Sequence, residues 1–194
     1  MSETIEFSPP LNQVRNLLRG MTSFSLDGQP TKIALTDRNL TASGKEMAVF
    51  LKGRRIIDLG CGQESSTLPL RRFAKICGAS EYVGVDLIHT PTKPGDDILP
   101  TTFVTADVLK YLSVLEPAND TVFILSGIDA RPSELSDTYF SNVAKQLERV
   151  CQPNSTVIIG SYTHELNLET TFEVVHEYRD IHSSTGTKIL RPRK

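Results

Sequence analysis

Short runs of β-branched and apolar residues recur along the chain, separated by stretches whose apolar residues have helical spacing. The runs are too short for helices and are bounded by glycine, proline or asparagine, so they predict buried strands. The run Thr121–Leu125 is apolar on both faces, which is typical of a central parallel strand. The predicted strands are residues 56–57, 82–85, 102–105, 121–125 and 156–159.

Residues 1–53 are expected to form a helical N-terminal extension packed on the core. Residues 11–18 carry leucines and a valine at helical spacing before Gly20, and residues 40–51 form a second candidate helix that ends at Gly53. The spacing points to no chemistry in this part of the chain. It can either cover a ligand or pack against the sheet.

A helix is also predicted after the first strand. Ser65 or Ser66 is expected to cap this helix, because a serine oxygen accepts from a free backbone N–H at a helix start. Pro69 then falls in the first turn, where its missing N–H is harmless, and Gly78 ends the helix.

Two further helices are predicted in the second half. Asp107 is expected to cap a helix that runs to about residue 115. The longest helix is expected to begin at residues 132–133 and to stop at Pro153. Its apolar residues form one stripe: Leu135, Tyr139, Val143, Leu147 and Val150.

The last third of the chain has a different pattern. Two extended runs, within residues 172–178 and 187–190, are joined by residues 183–186 with no helix between them, which predicts a hairpin. Residues 89–100 contain three prolines and predict a loop where a crossover helix is usual. The fold class is therefore α/β, a doubly wound and mostly parallel sheet that ends in an antiparallel hairpin.

Composition narrows the class of protein. A length of 194 residues suits about one domain, and a net charge of −2 gives no long-range attraction to nucleic acid or anionic membranes. No apolar run approaches the ~20 residues of a membrane span, and residues 1–6 lack signal-peptide character, so a soluble, cytoplasmic protein is expected. The three cysteines are isolated, which suits a reducing compartment and predicts neither a disulfide nor a metal site. The oligomeric state stays open.

The turn after the first strand has the composition of a ligand site. Gly60 and Gly62 permit a tight turn and leave no side chain against a ligand. Asp86 ends the next strand, and adjacent parallel strands would bring it to the same edge, where a carboxylate can accept from both hydroxyls of a ribose. Ser65 replaces the third glycine of a dinucleotide-binding turn, which argues against a nicotinamide-dependent oxidoreductase, and no phosphate-binding loop with Gly-Lys-Ser or Gly-Lys-Thr is present.

These motifs resemble the class I S-adenosylmethionine-dependent methyltransferases, from about residue 54 to the end of the chain. That family has an acid and a glycine-rich turn after the first strand, matched by Asp58-Leu59-Gly60-Cys61-Gly62. Acids after the second and third strands are matched by Asp86 and Asp107, and the family's last strands also form a reversed pair. The chain departs from the pattern at Glu64, which stands where the family has a third glycine.

The resemblance implies a Rossmann-like methyltransferase domain over residues 54–194 and S-adenosylmethionine as cofactor. It implies that the glycine turn lines the methionine part of the cofactor through its backbone, that Asp58 organises the ammonium group, and that Asp107 lies near the adenine. The cofactor-binding residues it implies are Asp58, Gly60, Cys61, Gly62, Asp86, Leu87, Asp107, Val108 and Ser126.

Each acid also has a purely structural interpretation. Asp58 can cap the turn, Asp86 can be a surface acid after an ordinary strand, and Asp107 can be a helix cap alone. Cys61 is interpreted as a small packing residue because no base motif accompanies it.

Candidate catalytic residues follow the central and the next strand. Asp129 can be a general base, a metal ligand or a solvated acid. Tyr162 and His164 are further candidates, since a histidine titrates near neutrality and can take a proton from a substrate. The expected activity is methyl transfer to an O or N nucleophile of a small molecule. The alternative is a non-catalytic or regulatory protein that binds S-adenosylmethionine.

Overall fold

Five parallel strands form the first part of a seven-stranded sheet. A computed structural model of the chain describes residues 42–88, 99–125, 137–160, 166, 168, 170–179 and 186–193. The parallel strands are β1 (Arg55–Leu59), β2 (Glu81–Asp86), β3 (Thr101–Thr105), β4 (Thr121–Leu125) and β5 (Thr156–Gly160). All five predicted strands are confirmed, most of them a residue or more longer than expected.

The sheet closes with an antiparallel pair, β6 (Phe172–Arg179) and β7 (Gly186–Pro192). The predicted hairpin is confirmed, although its connection, residues 180–185, lies outside the described residues. The strand order is β3-β2-β1-β4-β5-β7-β6, so β7 is inserted between β5 and β6. β4 is the middle strand, and all of its residues are buried, as its apolar sequence predicts.

Helices cover both faces of the sheet. They are α1 (Ala42–Leu51), α2 (Glu64–Ile76), α3 (Val108–Val114) and α4 (Asp137–Val150). Because successive strand residues point to opposite faces, the strands contribute to two cores. The α2-side core includes Met47, Leu51, Ile56, Leu70, Phe73, Tyr82, Ile124 and Ile158. The α4-side core includes Ile57, Leu59, Val85, Leu112, Phe123, Val143, Leu147, Val150 and Val157.

The N-terminal extension is described only from residue 42. Met47 and Leu51 of α1 are fully buried in the α2-side core, so this helix is part of the packing of the sheet. The predicted helix in residues 1–20, the predicted start of the longest helix and residues 89–98 of the proline-rich stretch lie outside the described residues. No helix in the described part of the chain is both long and apolar enough to cross a membrane.

The predicted start of α2 is wrong. The helix begins at Glu64 and its N-cap is Gln63, so Ser65 and Ser66 lie inside the helix and neither occupies the capping position. Pro69 is consequently the sixth residue of the helix and not in its first turn. The earlier start follows from Gly62, whose φ of 69° turns the chain so that Gln63 is already extended and the helix can begin next.

Two predicted helix ends are confirmed. Gly78 follows the C-cap of α2 with a φ of 75°, a conformation that favours glycine. Asp107 is the N-cap of α3, and its side chain accepts a hydrogen bond from the Lys110 N–H at 3.0 Å.

Gly84 in the middle of β2 has no room for a side chain. A Cβ placed there would lie 2.7 Å from Cδ1 of Phe103 and 2.9 Å from Sγ of Cys61. Phe103 and Cys61 therefore fill the space above the β2 backbone. This packing holds the residue after Gly60 close to the sheet.

We expect Gly84→Ala to lower the free energy of unfolding by about 1–3 kcal/mol, the usual cost of overpacking a tight site. Urea denaturation would measure this change. In a Phe103→Leu background the same substitution should cost less, because the main clashing ring is gone. An equal cost in both backgrounds would contradict the packing described here.

Candidate functional site

The glycine turn is bound to the end of β2 through its backbone. The N–H groups of Gly60 and Cys61 both donate to the carbonyl of Val85, at 2.8 and 3.1 Å. The N–H of Gly62 donates to Oδ2 of Asp86 at 2.7 Å. Gly60 and Gly62 have φ values of 73° and 69°, so both use the left-handed conformation that favours glycine. The predicted proximity of Asp86 to this turn is confirmed.

Asp86 is the residue on which three neighbouring strand ends converge. Its Oδ1 accepts from the Ile88 N–H at 3.1 Å, and its backbone carbonyl accepts from the Ala106 N–H at 2.9 Å, just after β3. Each carboxylate oxygen can accept more than one hydrogen bond, so both retain capacity for ligand hydroxyls. The ribose role predicted for Asp86 fits this arrangement and stays a prediction.

An apolar surface follows Asp86. Leu87 and Ile88 expose 66% and 70% of their surface, although most of the large apolar residues described are buried. An exposed pair of this kind beside polar acceptors suits the flat, weakly polar face of a nucleobase. Leu87 was predicted for the cofactor site. Ile88 was not predicted for this site. The signal that could have suggested it is its position directly after Asp86 and Leu87.

The three amide groups of the turn are engaged, which limits what the turn can bind. A phosphate at a glycine turn is usually held by free backbone N–H groups. Here the amides of Gly60, Cys61 and Gly62 all donate within the protein, so they are not available to an anion. The turn can still offer carbonyl acceptors, which suit a ligand that carries an ammonium group.

Asp58 lies beneath the turn and is fully buried. Its Oδ2 accepts a hydrogen bond of 2.6 Å from the hydroxyl of Tyr82, which is also fully buried. Tyr82 is not part of the sequence motifs. The signal that could have identified it is that a buried tyrosine hydroxyl requires a hydrogen-bond partner. Asp58 therefore has a structural partner in the sheet, and its predicted part in holding an ammonium group stays a prediction.

Cys61 faces the interior, as its interpretation as a packing residue predicts. It is 1% exposed, and its Sγ lies 3.4 Å from the carbonyl of Gly62, to which it donates. The other cysteines are buried as well, and burial raises the pKa of the Cys77 and Cys151 thiols to about 12. Both thiols therefore stay protonated and unreactive at neutral pH.

Asp107 connects the end of β3 with α4. Its Oδ1 caps α3, which confirms the structural interpretation, and its Oδ2 accepts from the hydroxyl of Tyr139 at 2.8 Å. Val108, also predicted for the cofactor site, is only 7% exposed and packs in the α4-side core. Cofactor roles for both residues stay predictions.

The other predicted site residues follow β4 and β5 in the chain. Ser126, Asp129, Tyr162 and His164 lie outside the described residues. Their assignment to a pocket or to catalysis therefore stays a prediction from the sequence.

Several known structures with similar folds are methyltransferases. The N-methyltransferase NodS from Bradyrhizobium japonicum WM9 has a TM-score of 0.53 and 10% identity, over 78% of this chain and 96% of NodS. The Escherichia coli protein yhhF, a proposed methyltransferase, has a TM-score of 0.52 and 9% identity over 97% and 89%. The mitomycin 7-O-methyltransferase MmcR has a TM-score of 0.50 and 10% identity over 77% and 53%.

No protein-family model and no curated protein sequence matches the chain. The identities to the solved structures are low, so the similarity establishes the fold. The chain has the Rossmann-like fold of the class I methyltransferases, which confirms the fold that its motifs implied.

We expect Tyr82→Phe to lower the free energy of unfolding by about 1–3 kcal/mol, because the buried carboxyl of Asp58 loses a donor. Tyr111→Phe is a matched control, since the Tyr111 hydroxyl makes no hydrogen bond within the described part of the chain. Urea denaturation of both variants would measure the difference. Equal stability of the two variants would show that the Tyr82 hydroxyl contributes nothing.

Proposed function

We propose that this chain, which has the class I methyltransferase fold, is an S-adenosylmethionine-dependent methyltransferase that acts on an O or N nucleophile of a small molecule. The observation that carries the proposal is the hydrogen bond between Asp86 and the Gly62 amide. At one edge of the sheet, this bond brings together a carboxylate that can bind a ribose and a glycine turn that can bind the ammonium-bearing methionine part of the cofactor.

The residues proposed to hold the cofactor have three roles, one for each part of S-adenosylmethionine. The backbone of Gly60 and Gly62 would hold the methionine part, and Asp86 would accept from the ribose hydroxyls. Leu87 and Ile88, exposed beside Asp86, would cover one face of the adenine. Asp107 would accept from its amino group, in addition to capping α3.

The hydrogen bonds of the turn support a sulfonium cofactor over a dinucleotide. S-adenosylmethionine carries an ammonium group and no phosphate, so it requires hydrogen-bond acceptors and not donors at the turn. The amides of Gly60, Cys61 and Gly62 are engaged, which would leave a pyrophosphate without these donors. Titration with S-adenosylmethionine and with NADH would separate the two classes, and binding of NADH alone would overturn the proposal.

Methyl transfer needs little chemistry from the protein. S-adenosylmethionine supplies an activated methyl group, and the protein contributes alignment, exclusion of water and in some cases a base. Asp129, Tyr162 and His164 are the proposed candidates for the base. Both O- and N-methyltransferases are among the similar structures, which suits either type of acceptor.

One feature favours a second candidate, a protein that binds S-adenosylmethionine without transferring the methyl group. The position of the family's third glycine is Glu64, which is also the first residue of α2. A carboxylate at this position can either interact favourably with the helix N-terminus or crowd the methionine end of the cofactor, and the second case favours this candidate. Binding without any methylated product across a broad set of small alcohols and amines would favour this candidate.

We expect Asp86→Ala to weaken S-adenosylmethionine binding by about 1–3 kcal/mol, because charge-assisted hydrogen bonds to the ribose are lost. Calorimetric titration would measure this change, and thermal unfolding without ligand would show that the variant is folded. Glu116→Ala removes an exposed acid from the connection before β4, at the opposite edge, and should bind normally. Unchanged affinity in folded Asp86→Ala would contradict the ribose role.

We expect Asp129→Ala to leave S-adenosylmethionine affinity nearly unchanged and to reduce turnover, if a base at this position takes the proton of the acceptor. Turnover would be followed as S-adenosylhomocysteine formed with an acceptor found in a screen. Turnover equal to that of Glu116→Ala would show that Asp129 is a solvated acid and not the base.

A further inference from the structure

Tyr139 bridges two elements at the edge of the sheet that carries the site. It lies in the first turn of α4 as described, and its hydroxyl donates to Oδ2 of Asp107 at 2.8 Å. Its ring packs edge-on against Phe140 with centroids 5.9 Å apart, which restricts the direction of the hydroxyl.

The direction of the hydroxyl proton follows from these contacts. The hydrogen bond of 2.8 Å runs from the Tyr139 hydroxyl to Oδ2 of Asp107, so the Tyr139 proton points to Asp107. Burial raises the pKa of Tyr139 above its ordinary value, and the hydrogen bond and charge of Asp107 raise it further. The hydroxyl therefore remains a donor throughout the physiological pH range.

Asp107 is held from two sides. The Lys110 N–H fixes Oδ1 and the Tyr139 hydroxyl fixes Oδ2, so neither rotation of the carboxylate nor a change of rotamer is free. Each oxygen still has capacity for one more donor. A carboxylate oriented before binding loses little entropy when it accepts from a ligand.

We propose that Tyr139 is a positioning residue that orients Asp107 to select a nucleobase with an exocyclic amino group. This inference rests on the proposed function, because the nucleobase is that of S-adenosylmethionine. An amino group can donate to the fixed carboxylate. An oxo group at the same position, as in hypoxanthine, would place an acceptor against it and bind worse.

The test compares S-adenosylhomocysteine with S-inosylhomocysteine, which has an oxo group in place of the amino group, by calorimetric titration. The natural protein should prefer the adenine compound by ~10-fold or more. Tyr139→Phe should weaken the adenine compound by ~3–10-fold and change the inosine compound little, so that the preference falls. Tyr111→Phe, the matched control, should keep the full preference.

The outcomes separate this inference from the proposed function. If the natural protein binds neither compound, the proposed function fails. If it binds S-adenosylhomocysteine and Tyr139→Phe keeps the full preference, Tyr139 only supports the end of α3, and the inference is overturned. Should Tyr139→Phe not fold, Asp107→Asn takes its place, and an unchanged preference in that variant would equally overturn the inference.

Discussion

The hydrogen bond from the Gly62 amide to the Asp86 carboxylate is the contact on which the candidate site depends. A charge-assisted bond of 2.7 Å joins the loop after β1 to the last residue of β2. The two amides before Gly62 donate to the Val85 carbonyl, so the turn follows β2 closely over three successive residues. The turn can lie so close only because glycine permits the φ values at Gly60 and Gly62.

The underside of the turn is packed with matching closeness. Gly84 leaves space that Cys61 and Phe103 fill, and the guanidinium of Arg71 lies 5.6 Å from the centre of the Phe103 ring. Asp58 is satisfied in this layer by Tyr82. Polar groups that are removed from water must be paired, and here Asp58 is paired with Tyr82. This buried packing holds the glycine turn in place from beneath.

A second polar contact organises the neighbouring strand end. Asp107 caps α3 and accepts from Tyr139, which ties the end of β3 to α4 across the α4-side core. Asp86 reaches the same region through its backbone bond to Ala106. The ends of β1, β2 and β3 are thus linked side by side, with hydrogen-bond acceptors along one edge and an exposed apolar surface at Leu87 and Ile88.

The sequence alone determined the strands, the doubly wound sheet, the terminal hairpin and the meeting of Asp86 with the glycine turn. Local patterns carry this information, because strand alternation, helix spacing and the rule that parallel neighbours share an edge do not depend on distant packing. The start of α2 was missed because a left-handed glycine, and not a serine oxygen, decided where the helix begins.

The tertiary structure alone decided the insertion of β7 between β5 and β6, the pairing of Tyr82 with Asp58 and the contact of Tyr139 with Asp107. Each of these joins residues that are far apart in the chain, and no local spacing specifies which buried hydroxyl meets which carboxylate.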